Sequence, residues 1–327
     1  MRKTLFVILL GLLTLPCHAL TLSENSRISL LSCAPGEVLY ERYGHTAIRV
    51  QDPEYGIDVV FNYGLFSFDT KNFYFKFMRG ETMYQLGAES YEYFAHAYQH
   101  EKRKVSEQVL NLNQEQREQI WEALLTNLEP QNREYLYNFV FDNCATRPYQ
   151  LIVKALNDSI RSQYTGYEGI TYRNYLSHYT RKGSWADFGI NLLFGPRADK
   201  EMRGEERLFL PEELMNYLSQ ATLSNGEKLV LEEDIQAFDI QPTPWYMTSY
   251  AGLTILIILL LALTLQQRKK GKYQKWPDIL FGILYGIILL IVTFLTFFSI
   301  HPLVGFGWRL IIILLTYVCI RLIYFIK

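Results

Sequence analysis

Three apolar stretches, at about residues 248–265, 277–300 and 309–326, constrain this chain more than any other feature. In hydrocarbon no water is available to satisfy the backbone, so such stretches must be helices. Each is close to the ~20 residues needed to cross a bilayer. Trp245 and Tyr246 precede the first, as an interfacial belt does. Arg268, Lys269, Lys270, Lys272 and Lys275 separate the first from the second, and such a basic cluster stays on the cytoplasmic side. The first span therefore runs from outside to inside, and the residues before it are extracytoplasmic. Arg321 interrupts the third stretch and is expected to snorkel to the nearby interface. The alternative, buried core helices of a soluble protein, leaves the basic cluster unexplained.

The N-terminal end gives the same topology independently. Arg2 and Lys3 precede an apolar run from Leu5 to Leu15, and Cys17-His18-Ala19 ends in the small residue of a cleavage site. Residues 1–19 thus read as a signal peptide. A lipoprotein reading of Cys17 is opposed by Pro16, which stands where a small residue is expected. The organisation that follows is a signal peptide (1–19), an exported domain (20–241) and a three-helix membrane domain (242–327). The expected location is the inner membrane, multi-pass, with the folded domain in the periplasm. With 32 basic and 33 acidic residues the chain lacks the basic excess of a nucleic-acid binder.

Within 20–241 the first part reads as strands: Ile28 to Ser32, Thr46 to Val50 and Asp58 to Tyr63, bounded by Gly36, Gly44, Gly56 and Gly64. Phe73, Phe75 and Phe77 alternate with Tyr74, Lys76 and Met78, which predicts a half-buried strand. Helices are predicted over Tyr91 to His100, over Asn113 to Asn127 with Ile120, Trp121, Leu124 and Leu125 on one face, and over Tyr149 to Leu156. Leu136 to Phe141 reads as a short strand or turn, and 157–241 as an elaboration on the core or a linker to the first span.

Two segments carry chemistry. In Tyr43-Gly44-His45-Thr46 a histidine opens a strand. In Asp142-Asn143-Cys144-Ala145-Thr146-Arg147-Pro148 a cysteine sits where an aromatic run gives way to a helix. The thiolate is the nucleophile, and a free thiol with a pKa of about 8.5 is mostly protonated near neutrality. A helix N-terminus or a neighbouring imidazole lowers that value. Cys144 is placed for the first and His45 for the second, with Asn143 as a cap for the helix start. Pro148 argues that the helix begins late and that Cys144 lies on the turn before it. Asn62 is the first choice for the group that orients His45, with Asp58 and Tyr63 as rivals on the same strand. Arg147 suits either an oxyanion or phosphate contact or a structural ion pair, and Tyr43 borders the same region. Against this stands the plainer reading of a buried thiol, a core histidine and a Cys33–Cys144 disulfide. His96 and His100 have the i,i+4 spacing of zinc ligands but lack a third partner, so a solvated helix face is expected and no metal or other cofactor is called for. His301 reads as an interfacial loop residue.

These segments resemble a known family. A strand histidine followed by a helix-start Asn-Cys resembles the permuted papain-like (NlpC- and lecithin:retinol acyltransferase-related) group. Leu30 to Val50, Phe61 to Asp69, Phe141 to Pro148 and Trp185 to Asp199 are similar to the Lnb N-terminal periplasmic domain family, and Phe297 to Pro302 to the membrane part that follows it. The resemblance implies an α+β, permuted papain-like domain on a helical transmembrane tail. It implies a lipoprotein N-acyltransferase that moves an acyl chain from a phospholipid to the α-amino group of a diacylated lipoprotein. Cys144 and His45 would be its catalytic residues; Asn62 as the third, and Asn143, Arg147 and Tyr43 as substrate or oxyanion contacts, come from the reading of the residues above and not from the resemblance. A cysteine hydrolase and a non-enzymatic envelope binding module are the competing readings.

Overall fold

In a computed structural model, residues 21–166 and 168–326 are described; the expected signal peptide lies outside them. The chain runs through β1 (Arg27–Cys33), β2 (His45–Asp52), β3 (Ile57–Leu65), α1 (Phe73–Arg79), β4 (Met83–Ser90), α2 (Tyr91–His100), β5 (Val105–Leu110), α3 (Gln114–Leu128), β6 (Glu134–Leu136) and α4 (Thr146–Ala155). There follow β7 (Arg161–Ser162), α5 (Tyr172–Tyr179), α6 (Trp185–Leu193), α7 (Pro211–Ser219), β8 (Ala221–Thr222) and β9 (Val230–Asp234). The tail is α8 (Ser249–Lys270), α9 (Trp276–Phe298) and α10 (Trp308–Leu322).

Seven strands form one antiparallel sheet in the order β6-β4-β3-β2-β1-β5-β9. Alternation along each strand sends one set of side chains to each face. Ile28, Leu30, Ile48, Val50 and Phe61 face the main core against α3 and α4, where Ile120, Trp121, Leu124 and Ile152 are almost fully buried. Burial of each such side chain stabilises by about 1.5–3 kcal/mol. Leu31, Cys33, Ala47 and Val60 face the other way, under Phe94 of α2. Asn113 caps α3 through a reciprocal capping box with Gln116, which fixes the start of that helix.

One expectation fails here. Phe73 to Arg79 is helix α1, not a strand. It has apolar neighbours on both sides: Phe73 meets Phe66 and Phe68, while Phe75 meets Phe294 of α9. Only Phe73 is buried, while Tyr74, Phe75, Phe77 and Met78 stay exposed, so no half-buried face imposes period-two alternation, and Gly80 closes the helix in a left-handed cap. Residues 157–241 are an elaboration on the core, the first of the two alternatives, and not merely a linker. They supply edge strand β9 of the main sheet and a second core around Tyr172, Tyr175, Phe209 and Leu210.

Helices α8 and α9 have the length and hydropathy to cross a membrane. The third expected span, α10, has only 15 residues, about 22 Å at 1.5 Å per residue and short of the ~30 Å hydrocarbon core. Arg321 does not snorkel. It is buried against Asp278, with Nε to Oδ1 at 2.8 Å and Nη2 to Oδ2 at 3.1 Å, and reaches Thr264 and Gln267 of α8. Polar groups of two neighbouring helices, α8 and α9, replace the interface as its partner.

Candidate active site

β2 and β3 pair so that Ile48 lies opposite Phe61. Continuing that register brings His45, at the start of β2, towards the end of β3 and Asn62. The His45 Nε2 atom lies 2.5 Å from Asn62 Oδ1. An amide oxygen only accepts, so Nε2 carries the proton and Nδ1 is left unprotonated as a base. Asn62 is buried, and its amide bonds in turn to the carboxyl of Glu89 on β4. The rivals are engaged elsewhere: Asp58 pairs with Arg49 at 2.8 Å, and the Tyr63 hydroxyl accepts from Asn127 on the opposite face.

Cys144 arrives from the other side of the sheet, on the turn before α4, as Pro148 required. Pro148 is the third residue of α4, where no intrahelical N–H is needed. Asn143 builds the turn. Its Oδ1 accepts from Ala145 N and Thr146 N at 2.9 Å each, and its Nδ2 donates to Phe139 O and Phe209 O at 2.8 Å each. The helix-start N–H groups expected to face an oxyanion are therefore taken up by Asn143. The N–H groups that do reach the sulfur are those of Thr46 and of Cys144 itself.

Gly64 is the meeting point. A Cβ built there would lie 3.6 Å from His45 Cε1 and 3.7 Å from Cys144 Cβ. A side chain at 64 would crowd both the His45 ring and Cys144. Its φ of +113° and the irregular register between Tyr63 and Leu65 also demand glycine. Sequence reading treated Gly64 only as a strand boundary, and missed Glu89 and the Thr46 amide altogether. A Phe-Asn-Tyr-Gly run at a strand end was the available signal for the first; the others depend on strand register.

The electrostatics differ from expectation. Burial pushes the Cys144 thiol up to about 11, although the Thr46 and Cys144 N–H groups pull the other way. Burial holds His45 down to about 4, against the opposing effect of Asn62. The Tyr84, Tyr135 and Tyr137 hydroxyls lie close enough to the sulfur to interact with it electrostatically. The resting pair is a neutral thiol and a neutral imidazole rather than an ion pair, because neither charge is solvated. Cys33 and Cys144 are both free, and burial pushes Cys33 up to about 12.

Arg147 binds Asp142 through two hydrogen bonds, at 2.5 and 2.8 Å, and stacks 3.6 Å over the Tyr135 ring. This is the ion-pair alternative. Tyr43 packs its ring on Phe139 with centroids 4.7 Å apart. His96 and His100 lie on the exposed face of α2. His301 contacts α1, with Nε2 2.8 Å from Phe77 O. A cleft of about 560 Å³ along α4 contains none of Cys144, His45 or Asn62.

From the thiol an aromatic wall leads to the membrane helices. Tyr84 packs on Phe66 at 4.9 Å, Phe66 on Phe73 at 5.8 Å, and Phe73 on Phe77 at 6.0 Å; Phe75 of the same helix meets Phe294 of α9 at 6.0 Å.

Residues 20–178 match the family described as the Lnb N-terminal periplasmic domain, and residues 241–327 match the one described as the Lnb transmembrane domain. No curated protein and no solved structure gives a significant match.

Proposed function

The chain belongs to the Lnb family of lipoprotein-modifying membrane proteins, and on that premise we propose that it is a lipoprotein N-acyltransferase working through a Cys144 thioester. The observation that carries this reading is the convergence of Cys144 and His45 on Gly64, with Asn62 fixing the imidazole proton on Nε2.

His45 Nδ1 takes the thiol proton as sulfur adds to the ester carbonyl of a phospholipid. The N–H groups of Cys144 and Thr46, which face the sulfur at rest, stabilise the oxyanion. Collapse expels the lysophospholipid alkoxide, which takes the proton from His45 and leaves the acyl chain as a thioester. The α-amino group of a diacylated lipoprotein then attacks the thioester. His45 accepts the amine proton, an amide forms, and the departing thiolate recovers that proton. No metal or soluble cofactor enters this sequence. The order of histidine strand before cysteine turn, and the thiol at a helix start, favour the permuted papain-like arrangement. The aromatic wall from Tyr84 to Phe75 suits an acyl chain arriving from the bilayer.

The test is the fate of label from a phospholipid with a labelled acyl chain, incubated with full-length protein in vesicles and a diacylated lipopeptide. Label is expected on Cys144 as a hydroxylamine-sensitive adduct and then on the lipopeptide amine. Label found only as free fatty acid would make the protein a hydrolase. Transfer that survives Cys144→Ala would refute the thiol mechanism.

A further inference from the structure

Helix α6 belongs in sequence to the exported domain, yet it packs beside the membrane helices. Its residues Phe188, Leu192 and Leu193 share a core with Ile288, Leu289 and Val292 of α9 and with Leu310 of α10. Between α6 and α9 runs a groove of about 430 Å³, within the ~300–1,000 Å³ of small-molecule clefts. Leu39, Trp185, Gly189, Ile190, Ile288 and Ile291 line it, and no charged residue does.

We propose that this groove seats one acyl chain of a bilayer lipid while the lipid's reacting group lies at Cys144; the part about Cys144 rests on the mechanism proposed above. Depth, chemistry and position all identify the occupant. Ile291 and Ile288 lie seven and ten residues below Phe298, the outer end of α9, or about 10 and 15 Å at 1.5 Å per residue. That reaches roughly the midplane of a ~30 Å hydrocarbon layer, which is the span of one lipid tail. One wall is a membrane helix, so the groove opens on lipid rather than water, and an aliphatic lining selects a chain without polar groups. Leu39, which also lines it, lies on the short 3-10 turn Leu39–Glu41, a few residues before Gly44 and His45. A chain in the groove is thereby anchored beside the segment that carries the catalytic base.

Gly189 provides the probe. A Cβ there meets nothing within 4 Å, so Gly189→Leu adds bulk to the groove and raises helix propensity. The first measurement is kcat/KM for donors with sixteen-carbon against eight-carbon chains. Gly189→Leu is expected to lower the long-to-short ratio at least about tenfold, since displacing two methylenes from a buried site is worth that much. Gly282→Leu, on α9 with open space around it and outside the groove, is the control and leaves the ratio unchanged. The second measurement keeps the idea testable if Gly189→Leu misfolds. In wild-type vesicles, a phospholipid with a mid-chain diazirine is expected to label Ile190, Ile288 or Ile291. An unchanged ratio, or labelling that avoids α6 and α9, overturns the proposal. Cys144→Ala separates the two claims: it abolishes the thioester and keeps the diazirine adduct. If transfer instead survives that variant while the adduct forms, the mechanism falls and the groove stands.

Discussion

A thiol whose pKa is raised from 9.0 to about 11 presents about a hundredfold less thiolate at pH 7 than an unperturbed one, each unit being a factor of ten. Alkylation by iodoacetamide reads that fraction, because only the thiolate reacts. The perturbation is pH, stepped from 5 to 11 on full-length protein in vesicles, with the Cys144 peptide quantified by mass spectrometry. The reference is a synthetic peptide of Phe141 to Pro148. Cys144 is expected to react about a hundredfold more slowly than the peptide at pH 7, and its rate to rise about tenfold per pH unit until near 11. Replacing His45 by Ala is expected to leave this profile in place, because a neutral imidazole does not stabilise the thiolate. A rate that is flat from pH 5 to 8, exceeds that of the peptide and collapses in His45→Ala would refute the argument. It would show a preformed ion pair, with burial outweighed by mutual attraction.

Other outcomes follow from the same geometry. His45 serves as a base only when neutral, and its folded value of about 4 lies below the ordinary 6.5, so turnover is expected to hold as pH falls through 6.5 and to fade near 4; a half-maximum near 6.5 would show an exposed imidazole. Gly64→Ala is expected to cost about 1–3 kcal/mol from its positive φ and to depress kcat far more than KM; unchanged kcat would mean that the two side chains do not need that gap. Arg147→Met is expected to lower stability by roughly 1 kcal/mol in thermal unfolding, the scale of a partly exposed ion pair, and to leave donor KM unaltered; a large rise in KM would assign it to substrate after all. Arg321→Leu alone is expected to destabilise the detergent-solubilised protein by about 3 kcal/mol, and Arg321→Leu with Asp278→Leu to recover most of that; equal losses in both would show that Thr264 and Gln267 matter more than the ion pair.

The residues that pair by short-range pattern were legible. Helix α2 spans Tyr91 to His100 as periodicity predicts, and α3 begins where Asn113 and Gln116 make a capping box. His45 and Cys144 stood out because each adjoins a break in regular structure. What sequence did not carry was anything set by the environment on two sides at once. Phe73, Phe75 and Phe77 read as a strand because alternation assumes one buried face, and in α1 Phe73 is buried while Phe75 and Phe77 stay exposed. The sign of the Cys144 shift was misread for a related reason. A helix start promises N–H groups, but Asn143 consumes them, and the surrounding tyrosines come from β4 and from residues 135 to 137, far off in the chain. Arg321 looked like a residue that escapes to water because its partner, Asp278, sits at the start of a different helix.

The loop from Ser299 to Gly307 is stitched to the exported domain by backbone bonds at three points: Ile300 N to Arg79 O, Gly195 N to Leu303 O and Gly305 N to Leu193 O, each at 2.9 Å. A head clamped in this way cannot swing on a tether, so the Cys144 thiol travels at one fixed height over the bilayer. Encounter with lipid is then a two-dimensional collision problem. Under the proposed transfer reaction, turnover is expected to answer to how crowded the leaflet is with donor, not to how much membrane is suspended in the tube.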